Sequence, residues 1–319
     1  GSNSAPSKNI VMGSTANELA TFRFTNDNVD DVRITDLVVY DAQTNGSSTA
    51  SFQNISLYDG STLVAGPVSM TSVSSASGTM TFALTGNGVV VAKNASKELT
   101  LKADVPTFSS GGAISNSSHV FKVQQGRTTA KSIGSPSATV TITVTSGTAS
   151  GNTIKVYRTK LALSSSVLGS TSNRARTGVD DVATLNFAAD SAYQAVVQSV
   201  VLKFTGAAVT SGGTAFTVDL IDSNTNSNLG SSAQATCTPG QGNSCSVTFN
   251  PTYTVSAGTT KATKVRVNSS SFTNTASASD ALTVLVNATT DVTFNDGTTA
   301  SIPLESTVVP FTVSSVSYE

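Results

Sequence analysis

A duplicated pattern constrains the fold of this chain more than any other feature of its sequence. Residues Val11–Asn17 (VMGSTAN) recur as Val167–Asn173 (VLGSTSN), and residues Leu19–Phe24 (LATFRF) recur as Val182–Phe187 (VATLNF). The first pair is 156 positions apart (167 − 11) and the second is 163 apart (182 − 19). The difference predicts a seven-residue insertion in the second copy, near residues 174–180. Such an internal repeat sets the architecture before any single residue is considered.

The repeat predicts two homologous domains, repeat 1 at residues 1–157 and repeat 2 at residues 158–319. Residues 91–103 also match residues 255–267, at an offset of 164 (255 − 91). Each predicted domain has about 160 residues, which is close to the usual domain size and enough to bury a core without a metal. The connection near Arg158 lacks a Pro- or Gly-rich stretch, so we expect a fairly stiff tandem.

The fold class follows from the alternation of apolar and polar residues. Short alternating runs rich in Val, Ile, Thr and Phe are separated by turn signals such as Tyr58-Asp59-Gly60 and Asn295-Asp296-Gly297. No amphipathic helix of useful length is predicted. We therefore predict an all-β protein of two tandem Ig-like β-sandwich domains related by an internal repeat. The predicted strands include Leu19–Phe24, Val32–Tyr40, Met80–Leu84, Leu99–Val105, Val120–Val123, Ala138–Val144, Val182–Phe187, Val196–Phe204, Phe216–Ile221, Ser246–Phe249, Lys264–Val267, Leu282–Val286 and Val309–Val316.

Charge and hydropathy exclude two classes of partner. Charged residues make up 12% of the chain and the formal net charge is −1, so there is no basic field to hold nucleic acid or an anionic membrane. No run of about 20 apolar residues is present, which predicts no transmembrane segment. The chain begins Gly1-Ser2 without a secretory leader, and both a cloning remnant and a processed end of an exported chain would explain this start.

The two cysteines predict a disulfide in the second domain. Cys237 and Cys245 flank a turn that contains Pro239, so their thiols should face each other across a hairpin. Two free thiols and a metal site are the alternatives, and zinc would need two more ligands although the chain has only one histidine. A disulfide implies an oxidising compartment, so we expect an extracellular protein.

No catalytic residue is predicted, and we expect that the chain is not an enzyme. His119 is the only histidine, and serine hydrolysis would need it as a base beside a serine and a carboxylate. The abundant serines lie in low-complexity turns, no nucleophile elbow precedes a helix, and His119 has no counterpart in the second copy. We therefore interpret His119 as an ordinary loop residue.

Calcium is the only cofactor that the sequence suggests, and only weakly. Asp222, Asn224 and Asn226 place oxygen ligands at every second position, as in a calcium loop. The glycine at the sixth place is missing, and Ala233 stands where the closing glutamate would be. An Asn-rich turn is the alternative.

Two pairs of adjacent carboxylates, Asp30-Asp31 and Asp180-Asp181, are not predicted to form an acid–base pair. Neighbouring residues of a strand point to opposite faces, so one pair cannot act across a cleft. We interpret both pairs as solvated loop residues, with a calcium contact as the alternative.

Six sequons permit N-glycosylation without arguing for it, since the abundance of hydroxyl residues predicts about that many by chance. They lie at Asn45, Asn54, Asn94, Asn116, Asn268 and Asn287. The chain has no Trp and few Tyr, which disfavours a carbohydrate-binding module.

Lysines within apolar strands suggest a lysine–asparagine cross-link of the kind found in some surface sandwiches. Lys122, Lys155 and Lys203 are the candidates. Such a cross-link requires inward-facing lysines, whereas alternation favours lysines that face outward.

The order of motifs in each copy resembles a family of exported proteins. Gly-Ser-x-x-Asn is followed by Leu-Ala-x-Phe-x-Phe, then by Ile34–Val39, Phe52–Gly60 and Glu98–Val105. This order resembles the repeated β-sandwich modules of surface-layer-like and filament-like proteins, especially those of ultra-small uncultivated bacteria. The resemblance implies a sandwich fold and a location at the cell surface, and it supplies no catalytic residues.

We expect an extracellular structural subunit of a surface layer, pilus-like fibre or stalk, whose partners are further copies of itself. Donor-strand exchange is one route to self-association, with Lys8–Met12 and Val308–Val316 as candidate donor segments. The alternative is an adhesin that binds a glycan or protein through the loops of repeat 2. Its binding edge would be formed by the insertion near residues 174–180 and the Cys237–Cys245 hairpin.

Overall fold

The computed structural model describes residues 7–27, 30–46, 48–74, 77–84, 88–109, 112–143, 150–210, 215–236, 244–273, 280–304 and 309–319. The chain divides into two compact units: unit 1 is Gly1–Arg158 and unit 2 is Thr159–Glu319.

The described residues of unit 1 form β-strands and a short 3₁₀ turn at Gln125–Arg127. Its strands are β1 (Lys8–Val11), β2 (Asn17–Thr25), β3 (Val32–Thr44), β4 (Gln53–Asp59), β5 (Thr62–Val68), β6 (Thr71–Ser74), β7 (Ser77–Ala83), β8 (Val89–Val91), β9 (Ser96–Asp104), β10 (Ser117–Val123), β11 (Thr129–Ser132), β12 (Thr139–Val140) and β13 (Ile154–Tyr157).

Unit 2 is built in the same way, with 3₁₀ turns at Ser269–Ser271 and Thr289–Asp291. Its elements are β14 (Leu161–Val167), β15 (Val179–Ala189), β16 (Ala195–Thr205), α1 (Ala207–Thr210), β17 (Ala215–Asp222), β18 (Ala233–Thr236), β19 (Ser244–Phe249), β20 (Tyr253–Val255), β21 (Thr260–Asn268), β22 (Asp280–Val286), β23 (Val292–Asn295), β24 (Ile302–Pro303) and β25 (Phe311–Tyr318).

The described strands of unit 1 form two sheets. The smaller sheet has the order β2-β9-β4-β5, and the larger has the order β1-β13-β10-β3-β11-β12, with β6, β7 and β8 attached. The long strand β3 is central, because it pairs with β10 and β11 along one edge and with β7 and β8 along the other.

The sheets of unit 2 follow the same strand order. The smaller sheet is β14-β15-β21-β17-β18, and the larger is β24-β23-β16-β22-β25. In the larger sheet β19 and β20 pair with the edge of β16 that faces away from β22 and β23. One difference concerns the first strand: β14 pairs antiparallel with β15 in the smaller sheet, whereas β1 belongs to the larger sheet of unit 1. The origin of the two units by duplication stays a prediction from the sequence.

Alternation along the strands creates the cores. In β9, Leu99 and Leu101 are fully buried while the intervening Thr100 is only half-buried, as expected when successive side chains point to opposite faces. Burying one Leu or Phe side chain contributes about 1.5–3 kcal/mol. The largest buried side chains include Phe82, Phe121, Leu19, Leu37, Ile55, Leu57 and Met80 in unit 1, and Tyr318, Phe187 and Phe204 in unit 2.

The all-β fold class predicted from the sequence is confirmed. Across the described residues the only α-helix is the single turn α1. Nowhere in the described ranges does a helix have the length and hydropathy needed to cross a bilayer.

Candidate functional site

The first and last strands of unit 1 lie side by side and run in the same direction. β1 pairs with β13 in parallel from Lys8↔Ile154 to Val11↔Tyr157. The Met12 N–H extends this pairing by donating to the Tyr157 carbonyl at 2.9 Å. The chain therefore enters this pair at one end, through β1, and leaves it at the other, through β13.

In unit 2 the segment that follows β14 also meets the last strand in parallel. The Ser317 N–H donates to the Thr171 carbonyl and the Arg174 N–H donates to the Ser317 carbonyl, both at 3.0 Å. Arg174 and Tyr318 form a parallel bridge, and the Glu319 N–H donates to the Arg174 carbonyl at 3.0 Å. Arg174, the first residue of the predicted insertion, therefore pairs with the last strand.

Both candidate donor segments are paired within their own units in this single chain, and donor-strand exchange stays a prediction. Most of Lys8–Met12 is β1, which pairs within unit 1. In the other segment, Val308–Val316, Val308 lies outside the described residues. From Phe311 onward this segment belongs to β25, which pairs with β22 along most of its length. Neither segment can leave its unit without breaking an existing sheet.

Side chains of the insertion lock the last strand of unit 2. Arg174 Nη1 donates to both carboxylate oxygens of Asp180, at 2.9 and 3.0 Å. The Tyr318 hydroxyl donates to Asp180 Oδ2 at 2.6 Å, and Arg174 Nε donates to the Ser170 carbonyl at 2.6 Å. We call Arg174, Asp180 and Tyr318 the charged lock.

Burial strengthens the charged lock. The side chains of Arg174 and Asp180 are 8% and 22% exposed, so solvent reaches only part of the ion pair. Burial raises the pKa of Tyr318 well above its ordinary value, and the hydrogen bond to Asp180 and the charge of Asp180 raise it further. The Tyr318 hydroxyl therefore remains a protonated donor across the physiological pH range.

Unit 1 fastens its last strand with neutral groups. The Tyr157 hydroxyl donates to Asn116 Oδ1 at 3.0 Å, and the Asn116 N–H donates to the Val156 carbonyl at 2.7 Å. The next residue, Arg158, donates its backbone N–H to Ser115 Oγ at 3.2 Å. We call Tyr157 and Asn116 the neutral lock.

The charged groups of the insertion all bind within unit 2. Besides Arg174 and Asp180, Arg176 Nη1 donates to the Thr273 carbonyl at 3.1 Å and to Asp280 Oδ2 at 3.4 Å. Asp280 is buried. The insertion thus holds its own unit together, which gives no support to the idea that its charges form an adhesin's binding edge.

A chain of hydrogen bonds connects three polar side chains in the interior of unit 1. Ser117 and His119 lie two residues apart on the inner face of β10, and Asp41 lies on the inner face of β3. Ser117 Oγ is 3.0 Å from His119 Nε2, and His119 Nδ1 is 2.8 Å from Asp41 Oδ2. A carboxylate only accepts, so Nδ1 carries a proton, and in the neutral imidazole Nε2 then accepts from the serine hydroxyl.

Gln43 extends this chain. Its Nε2 donates to Asp41 Oδ2 at 2.9 Å, and its Oε1 accepts from the Ser48 N–H at 2.9 Å. The ring of Phe52 packs edge-on against His119 at 4.8 Å between centroids. Asp41 Oδ1 has no hydrogen-bond partner among the described residues.

The interpretation of His119 as a loop residue is wrong. Ser117, His119 and Asp41 are each 0% exposed, so the histidine lies in the core. The arrangement has the order of groups used in serine hydrolysis, yet no dissolved substrate can reach it in this conformation. That the chain is not an enzyme stays a prediction from the sequence.

The adjacent carboxylates all lie where they can accept hydrogen bonds, one pair in a strand and the other in a loop. Asp181 lies in β15 and accepts from Arg266 Nε at 2.5 Å and from Arg266 Nη2 at 3.0 Å, which raises the pKa of Arg266. Asp30 accepts from the Ser132 hydroxyl at 2.5 Å and from the Gly134 N–H at 2.6 Å, and these bonds lower the pKa of Asp30. The solvated-loop interpretation is therefore wrong for Asp180-Asp181, which lie in β15, whereas Asp30-Asp31 do lie in a loop between strands.

The weak calcium candidates form a turn. Burial alone would raise the pKa of Asp222, but hydrogen bonds from the backbone N–H groups of Asn224 and Thr225 lower it overall. The Asn226 N–H donates to the Asp222 carbonyl at 2.8 Å. Within the described ranges no three His, Cys, Asp or Glu side chains converge as a metal would require. Calcium binding by this turn stays a prediction.

The predicted disulfide cannot be described in full. Cys245 is buried in β19, opposite Phe204 of β16. Cys237 and the hairpin up to residue 243 lie outside the described residues. The pairing of Cys237 with Cys245 stays a prediction.

Most of the sequon residues are exposed. Asn116 is the half-buried exception, since its Oδ1 belongs to the neutral lock. The exposed sequon residues are Asn45, Asn54, Asn94, Asn268 and Asn287. Glycosylation at any of them stays a prediction.

The lysines considered for a cross-link do not enter a core. Lys122 is exposed, and Lys155 and Lys203 are half-buried. Alternation places them on the outer faces of their strands, where a lysine–asparagine cross-link would not be shielded from water.

Comparison with known proteins identifies no family. No protein-family model and no curated protein matches this chain. Similar solved structures include the YadV chaperone, with 8% identity over 98% of this chain and 96% of that chain and a TM-score of 0.19. They also include the CupB6 tip adhesin from Pseudomonas aeruginosa (8% identity, 99% and 94% coverage, TM-score 0.19) and the major pilin SpaD from Corynebacterium diphtheriae (11% identity, 90% and 58% coverage, TM-score 0.22). Similarities at these TM-scores carry no argument about function.

Proposed function

We propose that this chain is an extracellular structural subunit that carries tensile load in a surface layer, pilus-like fibre or stalk and assembles with further copies of itself. The observation that carries the proposal is the parallel pairing of β1 with the last strand of unit 1. In unit 2 a parallel bridge between Arg174 and Tyr318, after β14, makes a similar but shorter contact.

Parallel pairing matters because of the direction in which a load would act. A force on the two ends of unit 1 pulls β1 by its first residue and β13 by its last. The two strands then slide against each other, and all the hydrogen bonds between them resist together. In a hairpin loaded at its open end, the bonds would break one at a time. The geometry therefore suits a subunit that is pulled along its chain.

The side-chain locks add to this resistance. Separating the strands of unit 2 would expose the buried Arg174 and break the bond between Tyr318 and Asp180. Hydrogen bonds to charged groups are worth about 1.5–3 kcal/mol each. Self-association is supported by the formal net charge of −1, since copies with little net charge do not repel each other.

Pulling on single molecules tests the load-bearing role. The full chain, held by its two ends, should give two separate unfolding peaks. Asp180→Ala should lower one peak and leave the other unchanged. Val218→Ala is the matched control, because Val218 is fully buried in β17 and lies outside the charged lock. If both variants lowered the peak equally for equal losses of stability, the lock would have no mechanical role.

Electron microscopy of the purified chain, with and without calcium, tests self-assembly separately. Ordered polymers that grow with protein concentration would support the proposal. Single particles at every concentration would contradict self-assembly and would leave the load-bearing role to be judged by the pulling experiment.

A further inference from the structure

The buried Ser117–His119–Asp41 chain has the components of an activated nucleophile. The histidine can remove the serine proton, and Asp41 holds the imidazole in the required tautomer. All three side chains are fully buried, so an external substrate is not available to them. Any electrophile must come from the same interior.

Gln43 is the electrophile that the fold supplies. It lies directly opposite His119 in the β3–β10 pairing, so Ser117, two residues before His119, is its diagonal neighbour on the same face. Diagonal neighbours are about 7–8 Å apart between Cα atoms, and the long side chain of Gln43 would have to cover most of this distance to meet the short side chain of Ser117. The Gln43 carboxamide also reaches Asp41, the far member of the hydrogen-bonded chain.

The Gln43 carboxamide is polarised for attack. The Ser48 N–H donates to its Oε1 at 2.9 Å, where it would stabilise negative charge that develops on that oxygen. Its Nε2 is held by Asp41 Oδ2. Both ends of the amide are therefore held, which lowers the entropy that a reaction of this carboxamide would have to lose.

We infer that unit 1 forms an internal ester cross-link between Ser117 Oγ and Gln43 Cδ. Ser117 Oγ attacks Gln43 Cδ while His119 Nε2 takes the hydroxyl proton. The C–N bond then breaks, His119 returns the proton to the leaving nitrogen, and ammonia departs. A hydroxyl and a carboxamide become an ester and ammonia, with no oxidant or other reactant.

The surroundings favour the product. Ammonia is lost to bulk solvent, where dilution opposes the reverse step. The ester remains in a core from which water is excluded, so hydrolysis is slow. The product would join β3 covalently to β10, the two strands that connect the terminal pair to the rest of the larger sheet. This inference does not depend on the proposed load-bearing function.

Intact mass spectrometry of the purified full chain tests the inference. After reduction of the cysteines, the mass should be about 17 Da below the sequence mass, because one ammonia is lost. Proteolysis should release the peptides that contain Gln43 and Ser117 as one linked species, and hydroxylamine should separate them.

Variants identify the roles. Ser117→Ala and Gln43→Glu should both keep the full mass expected for their sequences. Ser118→Ala is the matched control, since the neighbouring serine lies on the opposite face of β10, and it should still lose about 17 Da. Asp41 is a positioning residue, so Asp41→Asn should slow the loss of ammonia during incubation rather than only lower stability.

A full, unshifted mass in folded wild-type protein, both fresh and after prolonged incubation, would overturn the inference. The network would then be hydrogen-bonded only. If Ser117→Ala fails to fold, circular dichroism and the nearly isosteric Gln43→Glu variant keep the test decisive, since ammonia loss in Gln43→Glu would exclude Gln43 as the electrophile.

Discussion

Removing one oxygen atom from Tyr318 measures what the charged lock contributes to stability. The ring is buried and packs edge-on against Phe272 at 5.0 Å between centroids, so Tyr318→Phe keeps the packing. The substitution removes the 2.6 Å hydrogen bond to Asp180 and the weaker interaction of the hydroxyl with Arg174. A hydrogen bond to a charged group contributes about 1.5–3 kcal/mol. Because the Asp180 side chain is 22% exposed, we expect the low end, about 1.5–2 kcal/mol.

Calorimetry of the full chain is the assay. In a domain of this size, 1 kcal/mol shifts the melting temperature by about 2–4 °C, so Tyr318→Phe should lower the transition of unit 2 by about 3–8 °C. The transition of unit 1 should not move and serves as the internal reference.

Tyr157→Phe is the matched control in unit 1. Its hydroxyl donates to the neutral amide of Asn116 at 3.0 Å, which should be worth only about 0.5–1.5 kcal/mol. The reasoning would be refuted if Tyr318→Phe cost no more than Tyr157→Phe. That result would mean that the charged lock adds nothing beyond an ordinary hydrogen bond.

Three further outcomes are expected. The urea midpoint should fall as the pH rises past about 10, because burial raises the pKa of Tyr253 and Tyr318 above 10.0. Above that pH the folded state keeps protons that the unfolded chain releases, and an unchanged midpoint would contradict this. Asp222→Ala should cost about 1–2 kcal/mol in urea unfolding, because two backbone N–H groups lose their acceptor, and wild-type melting should not respond to calcium if the turn is only structural. Reduction of the predicted Cys237–Cys245 disulfide should cost roughly 2–3 kcal/mol, and an unchanged melting temperature would count against that bond.

Strand positions were predictable because alternation follows from the geometry of a half-buried strand. The runs Leu99–Val105, Val182–Phe187 and Val196–Phe204 coincide with β9, β15 and β16 within a few residues. Short edge strands such as β5 were not predicted. Thr62–Val68 is largely exposed, so no buried face imposes a pattern on its sequence.

The charged lock could be located but not understood from sequence. The repeat offset predicted the insertion that contains Arg174 and Asp180, yet it gave no sign that their partner is Tyr318, 138 positions after Asp180. Charged residues in an insertion are normally solvated. Only the fold shows that the two ends of the insertion meet at the last strand.

The buried network left a signal that the sequence analysis did not use. On β10 the inward phase runs from Phe121 to His119 and Ser117, and on β3 it runs from Val39 to Asp41. Polar residues that occupy consecutive core positions on two strands predict a shared network, because unpaired polar groups are costly to bury. Because serine is abundant throughout the chain, Ser117 did not stand out as an inward-facing polar residue.

The two locks show how one strand order can be fastened by different chemistry. Tyr157 needs only a neutral amide, whereas Tyr318 uses a carboxylate that would be expensive to bury without a counterion. The insertion supplies that counterion itself, since Arg174 at its start pairs with Asp180 at its end. An insertion that closes on its own ion pair can be added to a sandwich without leaving an unpaired charge. We therefore expect the second unit to hold its last strand more tightly at this position than the first unit does.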